Sequence, residues 1–245
     1  MVPGGLGLAL CEGFLNLGAI VIAADVDDLK IEKIRKTVCA ESAKRLEIIK
    51  LDVSNASEVE KFFLNVYKKY KKIDVLINNA GGGLGLPKDL ERISSIDFDT
   101  MIGINLKGTF LCCQKAIEYM RKSYYGRIIN ISSIGSKIPS KVSSPSYAAA
   151  KGGVNALTRR LALSEAKYGI TVNAIAPGTI ITGCRMEKVW QEMDDNDKQF
   201  IKSSIPVGRM CKEDDILNAA CFLASPLTEY VTGIVLDVNG GRFMG

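Results

Sequence analysis

Tyr147 and Lys151 stand four residues apart in Tyr147-Ala148-Ala149-Ala150-Lys151, a spacing that puts both side chains on one face of a helix. Together they could run acid–base chemistry. A free phenol titrates near 10, and bringing it to about 7 takes about 4 kcal/mol of preference for the phenolate. A lysine ammonium in a partly desolvated cleft can supply much of that. The spacing by itself is a weak signal, because such a pair is usually only a surface contact. The chain contains no histidine. Ser-His-Asp and Cys-His triads are therefore excluded, as is any metal site built on imidazole. A general acid or base working near neutrality must be Asp, Glu, Lys, Tyr or Cys.

Other polar residues fall where apolar runs end. Ile131-Ser132-Ser133 closes one such run, and Tyr147 follows 14 residues after Ser133. Asn78-Asn79-Ala80-Gly81 and Asp52-Val53 follow two more. Small residues at the carboxyl end of a strand leave room for a ligand in the crevice there. Asn105 is a polar residue inside an otherwise apolar helical pattern, and Asn173-Ala174-Ile175-Ala176-Pro177-Gly178 follows the tyrosine–lysine segment. Near the start, Gly4-Gly5-Leu6-Gly7 opens a helical pattern, where glycines let backbone N–H groups approach a pyrophosphate. Asp25 ends the next strand, about 20 residues on, where an acidic side chain accepts from a ribose 2′-hydroxyl and repels a 2′-phosphate. Asp27 and Asp28 follow with no arginine beside them, so the expected cofactor is NAD(H) rather than NADP(H).

Six β-branched, apolar runs read as strands: 19–25, 46–52, 73–78, 127–131, 170–175 and 234–238. Helical patterns cover 5–17, 28–41, 56–70, 96–123, 147–168 and 212–224. Strands apolar on both faces and separated by helices predict an α/β fold, a doubly wound parallel Rossmann-like sheet with helices on both faces. The 245 residues suit one domain, 1–245. Within it, 183–210 is rich in charge and methionine and shows no clear period, so an irregular substrate lid is expected. Arg185, Met186, Trp190 and Met193 would line a partly apolar pocket there or lie on an amphipathic surface helix.

The net charge of +5 is too diffuse to argue for nucleic acid. The run Lys68, Lys69, Lys71, Lys72 reads as a solvated helix end. No uncharged stretch is long enough to span a bilayer, and no signal-peptide pattern follows Met1. Seven cysteines without a C-x-x-C read as reduced thiols acting as small core hydrophobes, which points to the cytoplasm. Nothing in their spacing suggests a metal site.

Taken in order, these motifs resemble the short-chain dehydrogenase/reductase family over nearly the whole chain, from Gly5 to Gly241. The likeness rests on the Asn-Asn-Ala-Gly at 78–81, the Asn105 helix, Ser133, Tyr147, Lys151, Pro177-Gly178 with Thr182, and Thr232-Gly233 leading to Asn239-Gly240-Gly241. Within the family, the stretch from Ile205-Pro206-Val207-Gly208-Arg209 to the end of the chain is similar to 3-oxoacyl-carrier-protein reductases and related alcohol dehydrogenases. The resemblance implies hydride transfer between nicotinamide and a secondary alcohol or ketone. Tyr147 would be the acid/base, Lys151 would lower its pKa and hold the nicotinamide ribose, and Ser133, rather than Ser132, would polarise the carbonyl. Asn105 would anchor a water in a proton relay. Gly5, Leu6, Gly7 and Asp25 would hold the pyrophosphate and ribose, Asp52 and Val53 the adenine, and Asn79, Ala80 and Gly81 the adenosine ribose side. Pro177, Gly178, Ile180 and Thr182 would hold the nicotinamide end. Family members are usually tetramers or dimers, which implies a homo-oligomer.

The chain departs from the family pattern at its start. The family fingerprint T-G-x-x-x-G-x-G follows a first β-strand. Aligning Gly5-Leu6-Gly7 to its end puts the first glycine at Met1, so that strand has no counterpart here. It is central in the family, between the strands corresponding to 19–25 and 73–78. Its loss would leave a slot of about 10 Å, two inter-strand spacings, and forgo roughly 8 kcal/mol of aliphatic burial. Three alternatives stand: the native chain starts earlier, the sheet closes by pairing the neighbours, or the protein folds poorly. The functional alternatives to an active enzyme are a truncated, inactive fragment, a scaffold, and an NAD-sensing homologue that binds without turnover.

Overall fold

The computed structural model describes residues 5–140 and 142–245, apart from the side chains of Cys184 and Arg185. The expectations placed on Met1, Gly4 and Arg185 lie outside the described residues. The strands are β1 (Val21–Asp25), β2 (Leu46–Lys50), β3 (Val75–Asn78), β4 (Gly126–Ile131), β5 (Ile170–Pro177) and β6 (Val235–Val238). The helices are α1 (Gly5–Asn16), α2 (Asp28–Thr37), α3 (Ala40–Ala43), α4 (Ala56–Tyr70) and α5 (Ser95–Ile102). They continue with α6 (Gly108–Ser123), α7 (Pro145–Glu165), α8 (Gly183–Glu192), α9 (Asp195–Ser203) and α10 (Glu213–Ala224). Each strand falls on an apolar run of the sequence, and the fold is the expected parallel-sheet α/β, Rossmann-like architecture.

The side chains of β4 explain why its run is uninterrupted. Ile128 enters an apolar cluster with Cys113, Met120 and Val172. Ile129 and Ile131 point the other way, into a cluster with Leu10, Ile175 and Ile216. Every residue of β4 and β5 is buried. A parallel strand with helices on both faces has no solvent side, so alternation disappears from its sequence.

Three helical expectations change. The pattern at 28–41 breaks at Val38, which is extended. The single helix expected over 96–123 is interrupted by a π turn, Gly103–Lys107. The segment 183–210, expected to be an irregular lid or to carry an amphipathic surface helix, holds α8 and α9, with Met186 and Trp190 on α8 and the Asp194 carboxylate accepting from the Asn196 N–H to cap α9. Its apolar residues recur at helical spacing, Met186 to Trp190 and Val189 to Met193, but the dense charge between them hides the period. Among the described cysteines only Cys112 and Cys113 are buried, and Cys39 is exposed, so core packing accounts for only part of the set.

The sheet is in two pieces, β1–β2 and β3–β4–β5–β6. Among the described residues no ladder joins β1 to β3, so closure by pairing these neighbours is not what happens. Their side chains show the consequence: in β1 only Ala23 is buried and in β3 only Asn78. Helices hold the pieces together. Helix α1 packs on β1 and on α10, and a Cβ at Gly13 would collide with the Leu217 side chain of α10. On α4, Lys69 and Tyr70 both donate to Glu47 of β2, at 2.8 and 2.9 Å.

Helices α6 and α7 are locked by a bidentate pair, Arg121 Nε and Nη2 to the Glu165 carboxylate, both at 2.8 Å. Glu165 is almost fully buried, and the guanidinium beside it holds its carboxyl below the usual range. A lowered carboxylate pKa gives stability that is present above the ordinary value near 4.3 and is lost as pH falls through the folded value. Glu165→Gln is expected to cost about 1–3 kcal/mol near neutrality, with the gap from wild type narrowing as pH falls below about 4. Urea melts at both pH values check this; a gap that does not change with pH would contradict it.

Candidate active site

Helix α7 is built to start where it does. Ser144 Oγ accepts from the Tyr147 N–H at 3.1 Å, and Pro145 occupies the first turn, where a missing N–H costs nothing. Three alanines follow Tyr147, all strong helix formers, and bring Lys151 onto the same face. Lys151 is 3% exposed. Its Nζ donates to the Ile131 carbonyl at the end of β4 at 2.8 Å and lies 5.8 Å from the centroid of the Tyr147 ring. Burial lowers its pKa to about 8, so it remains largely cationic at neutral pH. Tyr147 is half-buried.

The two serines after β4 differ. Ser132 is buried, and its hydroxyl donates inward to Asn155 Oδ1 at 2.6 Å. Ser133 is half-buried; its Oγ accepts from the Gly135 N–H at 3.0 Å, which leaves its own O–H as a donor. The geometry therefore ties the Ser132 hydroxyl into the structure and leaves Ser133 partly exposed.

Asn105 lies fully buried in the π turn, a local irregularity common at functional sites. Its Oδ1 accepts from the Gly82 N–H at 2.8 Å, and its Nδ2 donates to the Gly82 and Met101 carbonyls, both at 3.1 Å. The Gly81-Gly82 backbone runs at φ 136° and 121°, a left-handed region that favours glycine. A Cβ at Gly81 would collide with Asn105 Oδ1 and stand 3.6 Å from Lys151 Nζ. Asn105, the loop after β3 and Lys151 thus form one cluster. Gly82, which no sequence motif singled out, is the residue Asn105 clamps.

The remaining candidates line the carboxyl ends of the strands. Gly5 (φ 69°) opens α1 with open space beside it, and a Cβ at Gly7 would lie 3.0 Å from Asn79 Nδ2. The first turn of α1 carries no acidic side chain, which suits an anion. Leu6 and Ile180 are half-buried and pack against the core cluster that contains Leu10. Asp25 ends β1 and accepts from the Asp27 N–H at 3.0 Å. Lys30 stands 3.8 Å from Asp25, and Lys50 2.6 Å from Asp28; the absence of a neighbouring arginine gave no hint of either lysine. Asp52 Oδ1 accepts from Ser54 N and Oγ, and a Cβ at Gly108 would collide with the neighbouring Val53 side chain. Ala80 is exposed, Pro177 ends β5, and the Gly178 N–H donates to the Val238 carbonyl at 2.8 Å. Thr182 precedes α8 and donates to Glu213 of α10. Among the described residues no group of three or more Cys, Asp or Glu could hold a metal ion.

The family model described as enoyl-(acyl carrier protein) reductase matches residues 2–242. The chain belongs to the short-chain dehydrogenase/reductase family. It is 38% identical over 240 residues to (2S)-[(R)-hydroxy(phenyl)methyl]succinyl-CoA dehydrogenase subunit BbsD of Thauera aromatica, covering 97% of this chain and 92% of that one. It is 32% identical over 239 residues to 3-oxoacyl-[acyl-carrier-protein] reductase FabG of Aquifex aeolicus (strain VF5), covering 98% and 93%. Among solved structures, ElxO with NADP bound is 29% identical with a TM-score of 0.88, covering 98% of this chain and 95% of that one. Short-chain dehydrogenase/reductases are oxidoreductases of hydroxyl and carbonyl groups that use a nicotinamide cofactor. The donor set fits such a cofactor: a glycine-opened helix N-terminus, a strand-end carboxylate, and a buried cation beside a tyrosine.

Lys151 is costly to the fold, since burial disfavours its charged form. In Lys151→Met the melting temperature should therefore hold or rise, the lost bond to Ile131 offsetting part of the gain. Thermal melts check this; a melting temperature lower by more than about 5 °C would contradict it.

Proposed function

We propose that this chain is an NAD(H)-dependent oxidoreductase that interconverts a secondary alcohol and a ketone, with a 3-oxoacyl thioester or similar hydroxy compound as the substrate class. The observation that carries the reading is the buried Lys151 ammonium, held by the Ile131 carbonyl beside the Tyr147 ring. Bound NAD(H) would supply the hydride donor or acceptor. Ser133 donates its hydroxyl to the substrate oxygen, and Tyr147 gives or takes the proton there. The Lys151 charge favours the phenolate and holds the nicotinamide ribose. Asn105 keeps the Gly81-Gly82 loop against Lys151 and anchors a water in the proton relay. Gly5, Leu6 and Gly7 offer backbone N–H groups to the pyrophosphate, and Asp25 accepts from the adenosine ribose. Asp52 and Val53 border the adenine, Asn79, Ala80 and Gly81 the ribose side, and Pro177, Gly178, Ile180 and Thr182 the nicotinamide end.

The preference for NAD(H) rests on Asp25, whose carboxylate would repel a 2′-phosphate. Lys30 and Lys50 each already face a carboxylate, and such exposed pairs are weak. The segment 183–210 shapes the substrate side, with Trp190 stacked under Lys202. Phe110 of α6, Leu163 of α7 and, after α10, Leu227 and Tyr230 are exposed apolar residues, which support a homo-oligomer, dimer or tetramer. No helix among the described residues is long and apolar enough to cross a membrane, and the cysteine usage supports a cytoplasmic location.

The divided sheet favours one rival, a homologue that binds NAD(H) or scaffolds partners without turnover. Fluorescence titration together with a turnover assay separates the readings: the rival shows no turnover whether or not it binds NADH. Saturable NADH binding is expected, at least tenfold tighter than NADPH, with the difference reduced in Asp25→Ala; absence of saturable binding would defeat the enzyme reading. Tyr147→Phe should lower kcat by at least about 10³-fold with NADH affinity kept within a few-fold. Unchanged activity would refute its role.

A further inference from the structure

Two successive turns of α7 are tied to the end of β4. Lys151 makes the first tie, to the Ile131 carbonyl. One turn on, Asn155 is 5% exposed and makes the second. Its Oδ1 accepts from Ser132 Oγ at 2.6 Å, and its Nδ2 donates to Ser136 Oγ at 2.8 Å. Ser136 Oγ in turn donates to the Ser133 carbonyl at 2.6 Å. The chain of bonds has one direction, and it needs a side chain that accepts at one atom and donates at the other, which an amide does and a carboxylate does not. It ends on the backbone of Ser133 itself. That residue caps the short turn Ile134–Ser136 with its Oγ on the Gly135 N–H, so the turn is fixed to Ser133 at its hydroxyl and at its carbonyl.

We propose that Asn155 is a positioning residue for the reaction: through Ser136 it fixes Ser133 against the helix that carries Tyr147 and Lys151. This rests on the oxidoreductase reading above. Both catalytic elements then share one rigid frame. A shift of about 1 Å in such a frame can cost on the order of 100-fold in rate. Asn155 does not touch the reacting atoms, and its place in the sequence, four residues after Lys151, is what puts it beside the same strand end.

The test compares Asn155→Leu, Ser136→Ala and the double variant by kcat, KM, NADH affinity from fluorescence titration, and melting temperature. Each single change is expected to lower kcat about 10- to 100-fold, with NADH affinity within twofold of wild type. The double variant should be no worse than the worse single, because the two groups act in one chain. Unchanged kcat in Ser136→Ala, which decides alone if Asn155→Leu does not fold, would overturn the proposal. So would losses that multiply in the double variant, or losses matched by weaker NADH binding. A wild-type chain without turnover overturns the oxidoreductase reading and this proposal with it, whereas wild-type turnover with unaffected variants overturns this proposal alone.

Discussion

A lysine ammonium buried at the end of a central strand is the constraint around which the rest of this structure is arranged. Lys151 gives up nearly all its water, and the Ile131 carbonyl at 2.8 Å returns only part of what is lost. Desolvation therefore pulls its pKa down to about 8. The fold accepts this because three elements meet at that point: the end of β4, the first turns of α7, and the glycine loop after β3 that Asn105 clamps. Each would have looser packing rules without the cation. Gly81 must be small because a Cβ there would collide with Asn105 Oδ1, with Lys151 Nζ in contact beyond it, and its backbone lies in the left-handed region that favours glycine.

The divided sheet places the two halves of the site on separate ladders. Asp25, Asp52 and Val53 ride with β1 and β2, whereas Ser133, Tyr147, Lys151 and the loop after β3 belong to the four-stranded piece. Their relative placement depends on the helices that cross between the pieces. Gly7 meeting Asn79, Gly13 meeting Leu217, and Lys69 reaching Glu47 are the contacts that do so. A dinucleotide bound across both halves would couple them.

Much of this was legible in the sequence, for physical reasons. Strands β4 and β5, buried on both faces, write unbroken apolar runs, and the half-buried β1, β2, β3 and β6 are still apolar enough that all six were found within a few residues. The tyrosine and lysine were found by a spacing that a helix converts into adjacency. The unread features depend on three-dimensional closure. Asn155 shares the face of Lys151, but nothing in one dimension says that Ser132 and Ser136 would reach it. The π turn at 103–107 leaves no signature in an apolar pattern that continues through it. Helices α8 and α9 carry so much charge that their period was hidden, and the lysines facing Asp25 and Asp28 come from one turn away and from a neighbouring strand.

The central claim is that Lys151 is a buried cation poised to change the charge on its neighbour, and its own titration tests that most directly. Following the lysine side-chain carbon and nitrogen resonances from pH 6 to 11, with Lys151→Met to assign the signal, would give its ionisation midpoint. A midpoint near 8 is expected, well below the ordinary lysine value of about 10.4. A midpoint at that ordinary value would mean the ammonium is solvated and is not the group around which the site is built.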